Sequence, residues 1–376
     1  MKKMKSLLAG VISSAILCSC GNKSNTSSYV IPETILLPEN IIEEFNMTAA
    51  ENVTLIPVKT DILLKDIGPT ECYGDYLFMV SSDRATLYEI YKDSVIGVLD
   101  RQGRGPGEYE EISSLAYSVE DSLLYISSNR GSIYMQVYKG NNFIYQGKLM
   151  LDEDGTSQVS SFCLLDSKRM MISKLEQSGL RSSFQGEKSE KDNEVSFGGR
   201  FIIDTKTGAI IDTVLMYDVY DFCWELANAS QADYCRHDGG ISFPRTGFNF
   251  VTIYNYSKDG VLTQGPSFRY DDMFAIPDKY MITDLEKNNG EQLGNYLMWV
   301  YPFSTHDQRK SMGATSLNVK GDSICFWKTV SGTDGENWSV YNYNVYDGKN
   351  VYRYCYKIDN MNWRVLPQFV YNGRYG

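Results

Sequence analysis

The sequence predicts an all-β chain folded as a six-bladed β-propeller of four-stranded antiparallel blades. Three observations predict it. β-favouring residues dominate, with 28 tyrosines among 376 residues, and no stretch sustains a helical period. Short apolar runs are separated by turn residues, glycine foremost with 31 copies. Groups of four such runs recur at a spacing of roughly fifty residues, which is the signature of a propeller rather than a sandwich. Dividing the chain from Val53 onward by that period gives about six blades.

The N-terminus has a different character. Lys2, Lys3 and Lys5 precede an apolar run from Leu7 to Cys18, a charged start and a core too short to span a bilayer, as in a secretory signal. Leu17-Cys18-Ser19-Cys20 resembles a bacterial lipobox. That resemblance implies that residues 1–19 are a lipoprotein signal peptide and that Cys20 carries the lipid, making the membrane a partner at this end. A lipid of more than one chain anchors lastingly where a single chain does not. Residues 20–50 then read as the lipidated cysteine and a tether, beginning with the small polar stretch Gly21–Ser28, and residues 51–376 as the propeller domain. The expected place is the outer membrane. No acid follows the cysteine in Gly21-Asn22-Lys23-Ser24, so the periplasmic leaflet and the cell surface both stay open.

Charge excludes one class of partner. The formal charge is −11, and loss of the three signal-peptide lysines takes it to about −14. Nucleic-acid binding needs a basic stripe, and none is visible. Cys72, Cys163, Cys223, Cys235, Cys325 and Cys355 are too sparse for a disulfide scaffold, and no Cys-x-x-Cys spacing marks a zinc site. Three of them, Cys163, Cys325 and Cys355, read as buried thiols in strands, whereas Cys223 and Cys235 share a long loop and are the pair to watch.

Taken in order, the first strand pattern is Ser94–Asp100, an outer blade strand. The stretch RQGRGPGEYEEI follows, with Gly103, Gly105, Gly107, Glu108 and Tyr109. A phosphate loop needs its glycines at a helix N-terminus, and here acids and a strand follow, so the stretch reads as the crossover to the next blade's inner strand. Leu115–Val119, Leu123–Ser127, Ile133–Tyr138 and Phe143–Leu149 then form a four-strand meander. Two hairpins, RFIIDTKTGAIIDTVLM and NFVTIYNYSKDGVLTQGPSFRY, each turn on a glycine preceded by Thr or Asp. A long polar insertion from Glu176 to Gly199 breaks the repeat as a loop. The second meander is Thr315–Val319, Ser323–Val330, Trp338–Val345 and Val351–Tyr356.

The stretch from Gly103 to Leu149 resembles the repeat of NHL-type propellers, with Gly105, Gly107, Glu108, Tyr109, Asp121, Tyr125, Asn129, Arg130, Val137 and Tyr138 in the family's order. It departs at Ser113 and Ser127, where that repeat has Pro and Asp. Together with the lipobox, the chain is similar to six-bladed propeller lipoproteins of the bacterial envelope.

No constellation for catalysis emerges. His237 and His306 are the only histidines, far apart in sequence. Asp152-Glu153-Asp154-Gly155 lacks the distal ligands of a calcium loop, Asp271-Asp272 has no positioned second acid, and no Gly-x-Ser-x-Gly elbow is present. No metal and no cofactor is expected. Trp224, Trp299, Trp338 and Trp363 are the weak candidates for stacking on a ligand, with blade packing the plainer role for each. The expectation is therefore a binding or interaction module for a glycan or an envelope protein. The alternative is an envelope glycan-acting hydrolase or lyase that uses the propeller face, betrayed by acids gathered at the channel mouth.

Overall fold

The computed structural model describes residues 35–36, 41–47, 58–65, 67–128, 134–151, 157–176, 197–227, 234–246, 250–269, 278–282, 292, 294–298, 317–320, 323–331, 338–359, 370–371 and 374–375. The fold is all-β, with four-stranded antiparallel sheets arranged as a propeller. Two strands, β1 (Ile35–Leu36) and β2 (Ile41–Met47), precede the first sheet. That sheet runs β3 (Ile67–Tyr73), β4 (Tyr76–Ser81), β5 (Leu87–Tyr91) and β6 (Ser94–Leu99). The second is β7 (Ile112–Ser118), β8 (Leu123–Ser128), β9 (Tyr134–Lys139) and β10 (Ile144–Met150). The third is β11 (Ser157–Leu164), β12 (Arg169–Glu176), β13 (Gly198–Asp204) and β14 (Ile210–Met216), followed by helix α1 (Val219–Ala227). The fourth is β15 (Cys235–His237), β16 (Gly240–Thr246), β17 (Val251–Ser257) and β18 (Leu262–Arg269). The fifth is β19 (Leu317–Lys320), β20 (Ser323–Ser331), β21 (Trp338–Tyr346) and β22 (Val351–Asp359), and a short hairpin pairs β23 (Val370–Tyr371) with β24 (Arg374–Tyr375).

The two-residue period of each strand explains why the sheets stack radially. Leu115 and Tyr117 of β7 pack on Phe78, Val80 and Leu87 of the first sheet. Ala116, between them, packs on Leu164 and Met170 of the third. In turn Cys163 and Met171 of the third sheet meet Ile241, Phe243 and Tyr254 of the fourth, and Phe268 lies 5.5 Å from Tyr346 of the fifth. A sheet buried on both faces needs apolar residues at successive positions, which is why β8 is buried at five consecutive positions from Leu124 to Ser128. Burying one such aliphatic side chain is worth about 1.5–3 kcal/mol. The outermost strands β10 and β14 are mostly open to solvent, with Ile144, Ile210 and Ile211 exposed.

Turn chemistry fixes the register. Asp204 Oδ1 accepts from the backbone N–H groups of Lys206 at 3.0 Å and Thr207 at 2.8 Å, and Asp347 Oδ1 does the same for Lys349 and Asn350. Gly208 follows at φ 75°, and a Cβ there would lie 1.8 Å from the carbonyl oxygen of Met150 in the neighbouring sheet, so only glycine fits. The Gly103–Tyr109 stretch joins β6 to β7. Glu108 folds back to accept from the Gly105 N–H at 2.8 Å, and the Tyr109 hydroxyl, within a buried side chain, lies 2.9 Å from the carbonyls of both Ala85 and Leu99. That carboxylate is spent within its own turn, which is incompatible with phosphate binding there.

One expectation is corrected. Six four-stranded blades do not appear: the described residues form three four-stranded sheets, two sheets of five strands and one two-stranded hairpin. Division by a period counts inserted chain as blade. The Glu176–Gly199 insertion falls between β12 and β13, which pair with each other across it, and its residues 177–196 lie outside the described residues. Between β18 and β19 the described residues form a 3₁₀ turn at Asp278–Tyr280 and helical residues 294–298, from which Ile282 and Tyr296 pack with Phe222 and Cys223 of α1. The segment before residue 51 also joins the sheets. β1 pairs in parallel with β18, and β2 with β22, so the tether segment already contributes the fifth strand of the fourth and fifth sheets. These additions cover outer edges that would otherwise present unpaired backbone groups.

Candidate functional site

In each sheet the first strand lies innermost, and neighbouring inner strands meet around the axis, β7 against both β3 and β11, and β15 against β19. The hydroxyl of Tyr73 on β3 donates to the Leu115 carbonyl of β7 at 3.2 Å, and Ser161 of β11 stands 3.5 Å from the Tyr234 hydroxyl that precedes β15. Beneath Tyr234 lies Arg200, 1 % exposed, its guanidinium 5.1 Å from that ring and 4.6 Å from Phe243, with Nη2 donating to the Pro244 carbonyl. This cation lying over two rings that meet edge to face stiffens the seam between third and fourth sheets.

Inside that frame three sheets share one electrostatic environment. Glu71 on β3 raises the titration of both Tyr73 and Cys163, the latter on β11, and Arg236 on β15 lowers both. Cys235 also raises Cys163. Desolvation by the surrounding protein pushes the Glu71 pKa up to about 7, although part of the residue is open to solvent. Burial pushes the Cys163 thiol to about 12, with Glu71 adding to it, so the thiol stays protonated and is a poor nucleophile. Arg236 is exposed, and its guanidinium makes no hydrogen bond or ion pair with any described residue.

The chemistry open to this arrangement is narrow. Desolvation is the sole cause of the Glu71 shift, so no second described carboxylate acts on it, whereas a glycosidase pair would. No group of three metal-ligating side chains occurs among the described residues. A carboxyl that titrates near neutrality, a guanidinium and the protonated Cys163 thiol can bind and orient a polar ligand.

The residues singled out from sequence fall elsewhere. Trp224 lies on α1 and Trp338 opens β21, while Trp299 and Trp363 are outside the described residues, as are Cys20, His306, the Asp152–Gly155 run and Asp271-Asp272. His237 Nδ1 accepts from the Gly239 N–H at 3.2 Å and its Nε2 lies 3.0 Å from the buried Ser242 hydroxyl. Both ring nitrogens are engaged in holding the β15–β16 turn. Cys223 and Cys235 are both reduced: Cys223 sits in the core beside Phe222, whereas Cys235 belongs to the axial group. Glu71 and Arg236 escaped sequence reading because each sits in an ordinary strand; a charged residue in the first strand of a repeat unit, as in ECY and CRH, is the signal that could have found them.

A buried acid lies in the first sheet. Glu89 on β5 is 2 % exposed, its Oε2 has no hydrogen-bond partner, and burial pushes its pKa to about 7.

Comparison with known proteins adds the fold. No known family and no curated protein matches the chain. Among solved structures, a "Putative exported protein" from Bacteroides fragilis is similar at a TM-score of 0.52 and 13% identity, over 83% of this chain and 79% of that one. A member of the duf4221 family from Bacteroides vulgatus aligns at a TM-score of 0.45 and 7% identity, over 81% of this chain and 84% of that one. The first likeness shows a shared fold and nothing about activity. Among the described residues no helix is long and apolar enough to cross a membrane.

Proposed function

We propose that this chain is an exported, lipid-anchored propeller of the bacterial envelope that acts as a recognition module, reading its ligand at the axial end of the ring. The observation that carries the reading is the convergence of Glu71, Cys163 and Arg236 from three sheets with no second acid acting on Glu71 and with the thiol held protonated. Such a group binds more readily than it catalyses.

Location is supported by the charged and apolar start, by Leu17-Cys18-Ser19-Cys20, and by a structural neighbour described as exported. The similarity of Gly103–Leu149 to an NHL-type repeat fits an envelope propeller as well. From Cys20 to Ile35 the chain reaches at most about 50 Å, so a lipid at Cys20 would keep the ring close to the bilayer. The ligand is a glycan or an envelope protein.

The test is to express the chain from Asn22 onward and incubate it with a panel of host and dietary polysaccharides, following retention and new reducing ends in the same wells. Retention without release is expected for a glycan reader. Silence in both readouts assigns the module to a protein partner. New reducing ends would overturn the non-catalytic reading in favour of a hydrolase or lyase, for which the titration of Glu71 near neutrality is the supporting observation.

A further inference from the structure

We infer that the seam between the first and second sheets is a proton-operated latch: the β9–β10 turn seats on the first sheet while the Glu89 carboxyl is protonated and lifts when that carboxyl ionises. The device goes beyond the recognition reading and does not depend on it.

Three features meet at one point of the seam. Glu89 on β5 pairs with Phe78 of β4 and Gly97 of β6, so its side chain shares the face of the first sheet that packs on the second. The register slips beside it, between Glu89 and Ile90, and a bulge of this kind re-aims side chains. From the second sheet the β9–β10 turn reaches the same place. A Cβ on Gly97 would lie 2.5 Å from the Asn141 carbonyl oxygen, 3.0 Å from the Phe143 ring and 3.2 Å from Glu89 Oε2. Turn, ring and carboxyl therefore converge on the space that Gly97 leaves open.

The contact is close but chemically incomplete. Glu89 is 2 % exposed, and its Oε2 has no hydrogen-bond partner. A carboxyl so enclosed is tolerated as the neutral acid, whereas its anion demands a donor or water. The turn offers it the Asn141 carbonyl, which is an acceptor. A carboxylic acid is compatible with that oxygen, and a carboxylate is repelled by it. Phe143 adds strain, because it is held at φ 48°, in the left-handed region that bulky side chains avoid, with its ring buried. Release of the turn relieves both the repulsion and the strain.

The titratable groups facing Glu89 are Tyr117 on β7 and, with its ring 5.2 Å from that of Tyr117, Tyr76 on β4. Burial, and then Glu89, push the Tyr117 hydroxyl up to about 12, so it stays neutral. β6 presents Gly97, and the turn presents an uncharged asparagine and a phenylalanine. Desolvation is the one cause acting on Glu89, which lies at about 7, so no described cation or second acid shares its titration. The seated state is thus favoured at low pH and lost as pH rises through about 7. With an ordinary 4.5 for the released carboxyl, the released fraction should grow about tenfold between pH 6 and pH 8.

The experiment is amide hydrogen exchange followed by NMR on the chain from Asn22 onward, which keeps every described residue. Each rate is divided by that of an unstructured peptide at the same pH. The reporters are the Gly140 N–H, bonded to the Ser122 carbonyl at 2.9 Å, and the Phe143 N–H, bonded to the Gly140 carbonyl at 2.9 Å. The control is the Gly260 N–H, bonded to the Ser257 carbonyl at 3.0 Å in the fourth sheet. Reporter protection should fall about tenfold from pH 6 to pH 8 while the control holds. Glu89→Gln should leave the reporters equally protected at both pH values. Gly97→Ala, whose added methyl crowds the Asn141 carbonyl, should lower their protection already at pH 6, and it keeps the test decisive should Glu89→Gln fail to fold. Three results would overturn the latch: reporter protection that does not change with pH, an equal fall at Gly260, or a pH dependence that survives in Glu89→Gln. Wild-type protection of the reporters in Gly97→Ala would overturn it as well.

Discussion

Glu89 illustrates at the scale of one residue how burial becomes a measurable property. Its folded pKa is about 7 against an ordinary 4.5, with desolvation the cause. An acid raised in the folded state favours folding fully below its unfolded value and loses that contribution as pH climbs from about 4.5 to about 7. The loss amounts to about 2–3 kcal/mol, allowing for partial wetting of the carboxyl. Denaturant melts of the wild type should therefore show lower stability at pH 8 than at pH 5, and Glu89→Gln should reduce that slope, the raised acids Glu71 and Asp221 carrying the remainder. A slope unchanged by Glu89→Gln would place the titrating group elsewhere. The same scale holds the limit of sequence reading. Glu71 and Arg236 stand 165 positions apart in unremarkable strands, and nothing local tells that β3 and β15 share an axis. Tryptophans attracted attention by residue type alone, and none that is described belongs to the axial group.

Turn chemistry made most of the elements readable. The first meander was legible to within three residues at every boundary, because Ser122 at φ 52° and Gly140 at φ 66° sit where the polar clusters are. The second meander was equally clear. β2 was not: IIEEFNM pairs in parallel with β22, about three hundred residues away, and local pattern carries no trace of so distant a partner. Removing residues 1–47 should lower the melting temperature and raise light scattering, since it strips the parallel strands from β18 and β22 and breaks the contact of Glu44 with Arg353 at 3.6 Å. A truncated chain that melts and scatters as the full chain does would show these strands to be dispensable.

α1 offers a second case at this scale. Asp218 caps it, its Oδ1 accepting from the N–H groups of Tyr220 and Asp221 at 2.8 Å each. Asp221 binds Arg245 through both oxygens, at 2.8 and 2.7 Å, and is 7 % exposed. Asp218→Ala should cost about 1 kcal/mol, the worth of a cap. Asp221→Ala should cost about 3 kcal/mol, because it leaves the largely buried Arg245 charge with only a longer contact to Asp218. Equal losses in denaturant melts would contradict the ranking.

For the whole molecule, the propeller arrangement of four-stranded sheets was legible from strand groups recurring at a regular spacing, whereas the number of blades was not. Length was counted as blade where the chain spends it on the insertion after Glu176 and on the segment between Arg269 and Leu317. The proposed attachment to a membrane is tested at this scale too. Cys20→Ser should abolish incorporation of labelled palmitate and move the protein from the membrane to the soluble fraction, while persistence of both label and attachment would refute Cys20 as the anchor. The central claim is that the protein around Glu71, on the inner strand β3, desolvates its carboxyl. Its most direct test is the carboxyl-carbon NMR titration of Glu71, assigned by loss of the signal in Glu71→Gln. The account expects a midpoint of about 7; a midpoint between about 4 and 5, that of a solvated glutamate, would contradict it.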